Sequence, residues 1–147
     1  MSVVFSGRSP GGRIGDRPIV SLDELLQTSD VVSIHVPLRP DTRRLIDRTA
    51  LARMKRSAYL INTSRGAVVD EAGVAWALRE HLIAGAALDV FEHEPAVHEE
   101  LLALENVLLI PHLGSATREA RTAMADLAAR NVAAVLSGRL PLTEVTK

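Results

Sequence analysis

Ala58-Tyr59-Leu60-Ile61-Asn62-Thr63-Ser64-Arg65-Gly66-Ala67-Val68-Val69-Asp70 runs from an unbroken apolar segment into a polar turn with one arginine, then to an acid placed to cap a helix. A continuous apolar run, unlike an alternating one, marks a parallel strand covered on both faces. The helix it feeds is predicted from Glu71 to His81, with Asp70 as N-cap and Val74, Ala77 and Leu78 on one face of a 3.6-residue period. The same alternation extends in both directions. Apolar runs recur at Val3–Phe5, Val31–Val36, Ala86–Phe91 and Val107–Ile110. Helical patterns fill the gaps at Leu22–Gln27, behind a Ser21/Glu24 capping box, and at Thr49–Met54. A longer helix is predicted from Thr117 to Leu136, with Met124, Leu127, Ala128, Val132 and Val135 on its apolar side and Gly138 and Pro141 ending it. Ser6–Asp16 reads as a long loop. The order predicts an α/β fold, a partial doubly wound parallel sheet with a long C-terminal helix.

The chain has 147 residues, with 17 Lys+Arg against 18 Asp+Glu and a formal net charge of -1. That length suits one domain with a core of its own. With 47% hydrophobic and 24% charged residues, disorder is excluded as the main state. The balanced charge, without a cluster of Lys and Arg, lacks the electrostatic footprint of a nucleic-acid binder. No apolar run approaches the roughly 18 to 20 residues that span a bilayer. Neither nucleic acid nor membrane is therefore an expected partner. The absence of cysteine excludes disulfides, thiolate metal ligands and Cys nucleophiles; it suits a cytoplasmic location, and no metal site is expected. Arg8 and Arg13 interrupt the only apolar stretch that a signal peptide would need.

A Rossmann-like sheet that binds a dinucleotide opens with a strand, a G-x-G-x-x-G turn and a helix, so that the pyrophosphate rests on the helix N-terminus. Gly7, Gly11, Gly12 and Gly15 do not have that spacing, and no helical pattern follows them directly. The chain reads as a piece of a larger protein, entered at the second strand.

Three segments carry candidate chemistry. In the first, Arg65 falls just beyond a strand, where open α/β sheets bind ligands, and its planar fork of donors suits a carboxylate. The plain alternative is a loop arginine paired with a neighbour. The second is Gly85-Ala86-Ala87-Leu88-Asp89-Val90-Phe91-Glu92-His93-Glu94-Pro95. Asp89 is read inside an apolar strand, where it must cap backbone or face a ligand. Glu94 lies past the strand end, and Glu92 reads as a solvated loop acid. The third, Leu109-Ile110-Pro111-His112-Leu113-Gly114-Ser115-Ala116-Thr117, places His112 after a strand, with an ordinary pKa of about 6.5 suited to proton donation. Arg65, Glu94 and His112 each follow a different strand at one predicted sheet edge. They make an anion clamp, a carboxylate orienter and an acid/base.

NTSRGAVVDE, GAALDVFEHEP and PHLGSAT, in this order, resemble the D-isomer-specific 2-hydroxyacid dehydrogenase family, and GSATREARTAMADLAARN is most similar to its glyoxylate/hydroxypyruvate reductase branch. The resemblance runs from about Val3 to the C-terminus. It implies that Arg65 binds the substrate carboxylate and carbonyl, that His112 protonates the carbonyl oxygen as hydride is transferred, and that Glu94 holds the imidazolium. It further implies that Asp89 contacts the nicotinamide carboxamide, that Thr63, Gly114 and Ser115 line the nicotinamide pocket, and that Val36 and Pro37 lie beside the adenosine half. His81, His93 and His98 match no catalytic position and read as surface or packing residues. A complete member has two domains, so residues 1–138 are expected to be a partial NAD(P)-binding domain without its first strand and Gly-rich turn. Residues 139–147 are then a tail returning to a missing substrate domain. The expected activity is NAD(P)H-dependent reduction of a small 2-keto acid to the 2-hydroxy acid in a complete, homodimeric parent, with this chain inactive by itself.

An NAD-type site places an acid at the end of the second strand to bond the ribose 2′-hydroxyl. Here the first acid is Asp16, while Arg8 and Ser9 offer a cation and a hydroxyl. NADP is therefore favoured over NAD, against the alternative of a basic loop without a ligand. A competing function is a dinucleotide-sensing, co-repressor-like binding module without turnover; such relatives carry long extra tails, and none follows Leu140.

Overall fold

The computed structural model describes residues 2–7 and 10–145. The chain divides into two compact units, the first ending at Pro111 and the second beginning at His112. The first unit holds β1 (Phe5–Ser6), β2 (Arg13–Ile14), β3 (Arg17–Val20), α1 (Leu22–Thr28), β4 (Val31–Ile34), α2 (Arg48–Arg53), β5 (Tyr59–Asn62), α3 (Glu71–Arg79), β6 (Gly85–Leu88), α4 (Glu99–Leu102) and β7 (Val107–Leu109). Strands β4, β5, β6 and β7 pair in that order, all parallel, with Val31 opposite Tyr59, Tyr59 opposite Gly85 and Ala86 opposite Val107. Parallel neighbours need a crossover; α2, α3 and α4 each stand between successive strands of this sheet. The result is the predicted Rossmann-like architecture, a partial doubly wound parallel sheet.

One sheet face forms the core. Val32, Ile34, Leu60, Ala86 and Leu88 are buried with Leu26 of α1, Leu51 of α2 and Val74 and Leu78 of α3. On the other face Val31, Tyr59 and Leu108 remain exposed and line an open groove of about 660 Å³. The apolar runs predicted two covered faces, but no described element of this unit packs on the second. A separate sheet joins β1 to β3 in parallel and β3 to β2 antiparallel. In the doubly wound order 3-2-1-4-5-6 a strand stands between the second and fourth. The two sheets are separate at that place.

Local chemistry follows the sequence with some corrections. Ser21 Oγ accepts the Glu24 N–H at 3.1 Å and caps α1. Asp47, not anticipated, caps α2 by accepting the Ala50 N–H at 2.8 Å. Asp70 occupies the N-cap of α3 without a side-chain capping bond. The long loop read over Ser6–Asp16 instead contains β2, because Gly15 adopts a φ of 56° and lets the chain reverse onto β3. Strand β6 stops at Leu88, so Asp89 lies just past it rather than inside it.

In the second unit α5 (Arg118–Leu136) starts at Thr117, whose Oγ1 accepts the Ala120 N–H at 3.1 Å. Gly138, with a φ of 71°, terminates it. Beyond Pro141 the Thr143 N–H donates to Asn131 Oδ1 at 3.1 Å, and Asn131 Nδ2 donates to Thr143 Oγ1 at 3.0 Å, which ties the tail to the helix. Met124, Leu127, Val132 and Val135 are exposed. Among the described residues no helix is long and apolar enough to cross a membrane.

Candidate active site

The turn that presents Arg65 is built by a residue the sequence reading passed over. Asn62, the last residue of β5, is 1% exposed. Its Oδ1 accepts the Ser64 N–H at 3.0 Å and the Ser64 hydroxyl at 2.9 Å, and its Nδ2 donates to the Arg65 carbonyl at 3.1 Å. A buried amide is costly unless these bonds are made, so the side chain dictates the turn. Arg65 itself is exposed, with Nη1 donating to the Ser64 carbonyl at 2.6 Å. An Asn directly after an apolar run and before Thr-Ser is the usual signal of such a turn.

The neighbouring loop leaves β6. The Asp89 N–H donates to the Asn62 carbonyl at 2.9 Å, so Asp89 and Thr63 follow adjacent strands side by side. Asp89 is buried and Thr63 exposed. Glu94 is exposed, and its Oε1 accepts the Phe91 N–H at 3.0 Å. The two loops touch backbone to backbone: a Cβ on Gly66 would lie 1.9 Å from the Phe91 carbonyl carbon. Glu92 is not the solvated acid its sequence setting implies. Its side chain is 12% exposed and pairs with Arg43 at 3.6 Å and Arg44 at 3.5 Å. Those cations lie on the loop after β4, far upstream, and nothing local to Glu92 announces them.

At the end of β4, Val36 is half-buried and Pro37 exposed, and the Pro37 carbonyl accepts the Thr42 hydroxyl at 2.7 Å. His112, Gly114 and Ser115 belong to the second unit and are exposed; His112 has a φ of 52°. The first unit thus brings Thr63, Arg65, Asp89 and Glu94 together at the carboxyl edge of one parallel sheet. Arg8 and Ser9 lie outside the described residues.

Residues 2–114 match the NAD binding domain of the D-isomer specific 2-hydroxyacid dehydrogenases. The chain belongs to this family. It is 53% identical over 135 residues to a glyoxylate reductase of Thermofilum pendens, a match covering 91% of this chain and 40% of that protein. It therefore spans about two-fifths of the length of the curated relatives it matches. Among solved structures it is similar to an NADPH-dependent glyoxylate/hydroxypyruvate reductase of Sinorhizobium meliloti in complex with NADP and malonate, with a TM-score of 0.88, 37% identity and coverage of 99% of this chain and 46% of that one. It is also similar to a D-lactate dehydrogenase of Lactobacillus jensenii with NAD+, with a TM-score of 0.84, 28% identity and coverage of 99% and 48%.

The family domain that the chain matches is one that binds NAD. Asp89, a buried acid just past β6, and Thr63, just past the neighbouring β5, supply an acceptor and a hydroxyl, the group types that a carboxamide takes. No described helix follows a glycine turn of the kind that holds pyrophosphate.

Proposed function

We propose that the complete protein carrying this chain reduces a small 2-keto acid, glyoxylate or hydroxypyruvate, to the 2-hydroxy acid, using NADPH in preference to NADH. The observation that carries this reading is the placement of Arg65 and Glu94 on adjoining loops at the carboxyl edge of β5 and β6. Arg65 grips the substrate carboxylate and orients the ketone. His112 delivers a proton to the carbonyl oxygen as the carbon accepts hydride, and Glu94 stabilises the imidazolium during that transfer. Reduced nicotinamide, when bound, supplies the hydride. Thr63, Asp89, Gly114 and Ser115 hold its ring, Val36 and Pro37 flank the adenosine half, and Arg8 and Ser9 take the 2′-phosphate.

We further propose that residues 1–138 are part of the cofactor domain and that residues 139–147 return to a substrate domain. The separation of the β1–β3–β2 sheet from the β4–β5–β6–β7 sheet supports this reading, because a doubly wound order has a further strand between its second and fourth. The parent is a cytoplasmic homodimer in this reading.

Steady-state assays of the complete protein with glyoxylate and hydroxypyruvate, each with NADPH and NADH, test the proposal. Turnover of either acid is the expected result, and its absence with all four combinations overturns the reading. The 147-residue chain alone is expected to show negligible turnover, because hydride donor and ketone must be held within about 3.5 Å.

A further inference from the structure

The loops at the carboxyl edge of the first unit's sheet are tied to one another by carboxylates that the proposed chemistry does not use. Glu71, the first residue of α3, is 6% exposed, and its Oε1 accepts the backbone N–H of Glu92. An acid at a helix N-terminus is favoured by the helix dipole alone, yet this one directs an oxygen onto a different loop. A Cβ on Gly66 would lie 2.4 Å from the Glu92 nitrogen, so the backbone after Arg65 presses on the same Phe91–Glu92 peptide. That peptide is pinned from two sides.

The consequence reaches Glu94. Its Oε1 accepts the Phe91 N–H, so the pinned segment also sets where this carboxylate sits. The Glu92 side chain turns to Arg43 and Arg44. Their segment is bonded in turn to the chain beyond Arg65, through the Arg44 N–H to the Ala67 carbonyl at 2.9 Å and the Ile46 N–H to the Val68 carbonyl at 3.2 Å.

We infer that Glu71 is a positioning residue whose buried carboxylate holds the 91–95 turn, and with it Glu94, at a fixed place beside Arg65. The inference deepens the reductase reading, on which the importance of Glu94 rests. The physical reason is the sensitivity of oriented reactions to geometry, in which a misplacement of ~1 Å costs ~100-fold.

Amide hydrogen exchange in the 147-residue chain reads the placement without reference to turnover. Glu71→Ala is expected to speed exchange at Glu92 and Phe91 by roughly tenfold, the size of one lost hydrogen bond, while amides within α3 keep their wild-type rates. Glu71→Gln retains an acceptor oxygen and is expected to restore protection. In the complete enzyme, Glu71→Ala is expected to lower kcat by about 10- to 100-fold with KM changed less than about threefold, and Glu71→Gln to recover most of the loss. Unchanged exchange at Glu92, or uniform acceleration through α3, overturns the inference, as does a kcat loss that Gln does not rescue. If the complete wild-type protein turns over no 2-keto acid, the reductase reading fails, and the exchange measurement still decides whether Glu71 holds the turn.

Discussion

Gly66 and Phe91 approach so closely that a side chain on the glycine has no room: a Cβ would sit 1.9 Å from the Phe91 carbonyl carbon and 2.0 Å from its oxygen. The obstacle is backbone, which cannot swing aside as a flexible side chain can. Gly66 is needed here for close approach between two loops.

Gly66→Ala is therefore expected to destabilise the chain by about 1–3 kcal/mol, the usual cost of overpacking. In a domain of this size that lowers Tm by roughly 3 °C or more per kcal/mol. Thermal unfolding followed by circular dichroism checks it, and an unchanged Tm would show that the loops part at no cost.

Asn62→Ala removes a 1% exposed side chain that makes all of its observed bonds to Ser64 and Arg65. Loss of these bonds is expected to cost about 1–3 kcal/mol. In the complete enzyme it should also raise KM for the keto acid, because the turn no longer aims Arg65. A Tm series alongside KM measurements separates the two effects.

His112→Ala in the complete enzyme is expected to lower kcat by roughly 10²- to 10⁴-fold while leaving cofactor affinity nearly unchanged, since a general acid acts mainly in the transition state. Steady-state kinetics with a fluorescence titration of the cofactor tests this. An unaltered kcat would remove His112 from the proposed role.

Arg8→Ala is expected to weaken NADPH binding by about 10- to 150-fold, the worth of a charge-assisted contact of roughly 1.5–3 kcal/mol, and to leave NADH unaffected. Titration of both cofactors against the complete enzyme and the variant decides it. Equal losses for the two would mean that Arg8 serves only the loop.

Much of the fold was legible because its signals are local. The apolar runs Ala58–Ile61 and Ala86–Phe91 and the Ser21 cap are written in consecutive residues, and the structure places a capped helix and two strands there, the second ending already at Leu88. The hairpin at Arg13–Val20 was missed because its strands are short and broken by Arg13, Arg17 and Pro18; its pairing depends on Gly15 taking a positive φ, which a run of loop residues does not declare.

By itself the sequence determined the order of the four parallel strands and of the helices α1, α2, α3 and α5, the family, and the placement of Arg65 and Glu94 beyond successive parallel strands, since each of these follows from periodicity or from spellings within a dozen residues. Only the tertiary structure decided what holds those groups. Glu92 and Glu94 stand two apart and look alike as loop acids; one is drawn inward to Arg43 and Arg44, while the other folds back on Phe91. Glu71 reads as an ordinary first-turn acid until its carboxylate meets the Glu92 amide from another loop. A charge in sequence has no dielectric and no partner until the chain packs, and packing brings together residues whose separation along the chain carries no signal of their contact.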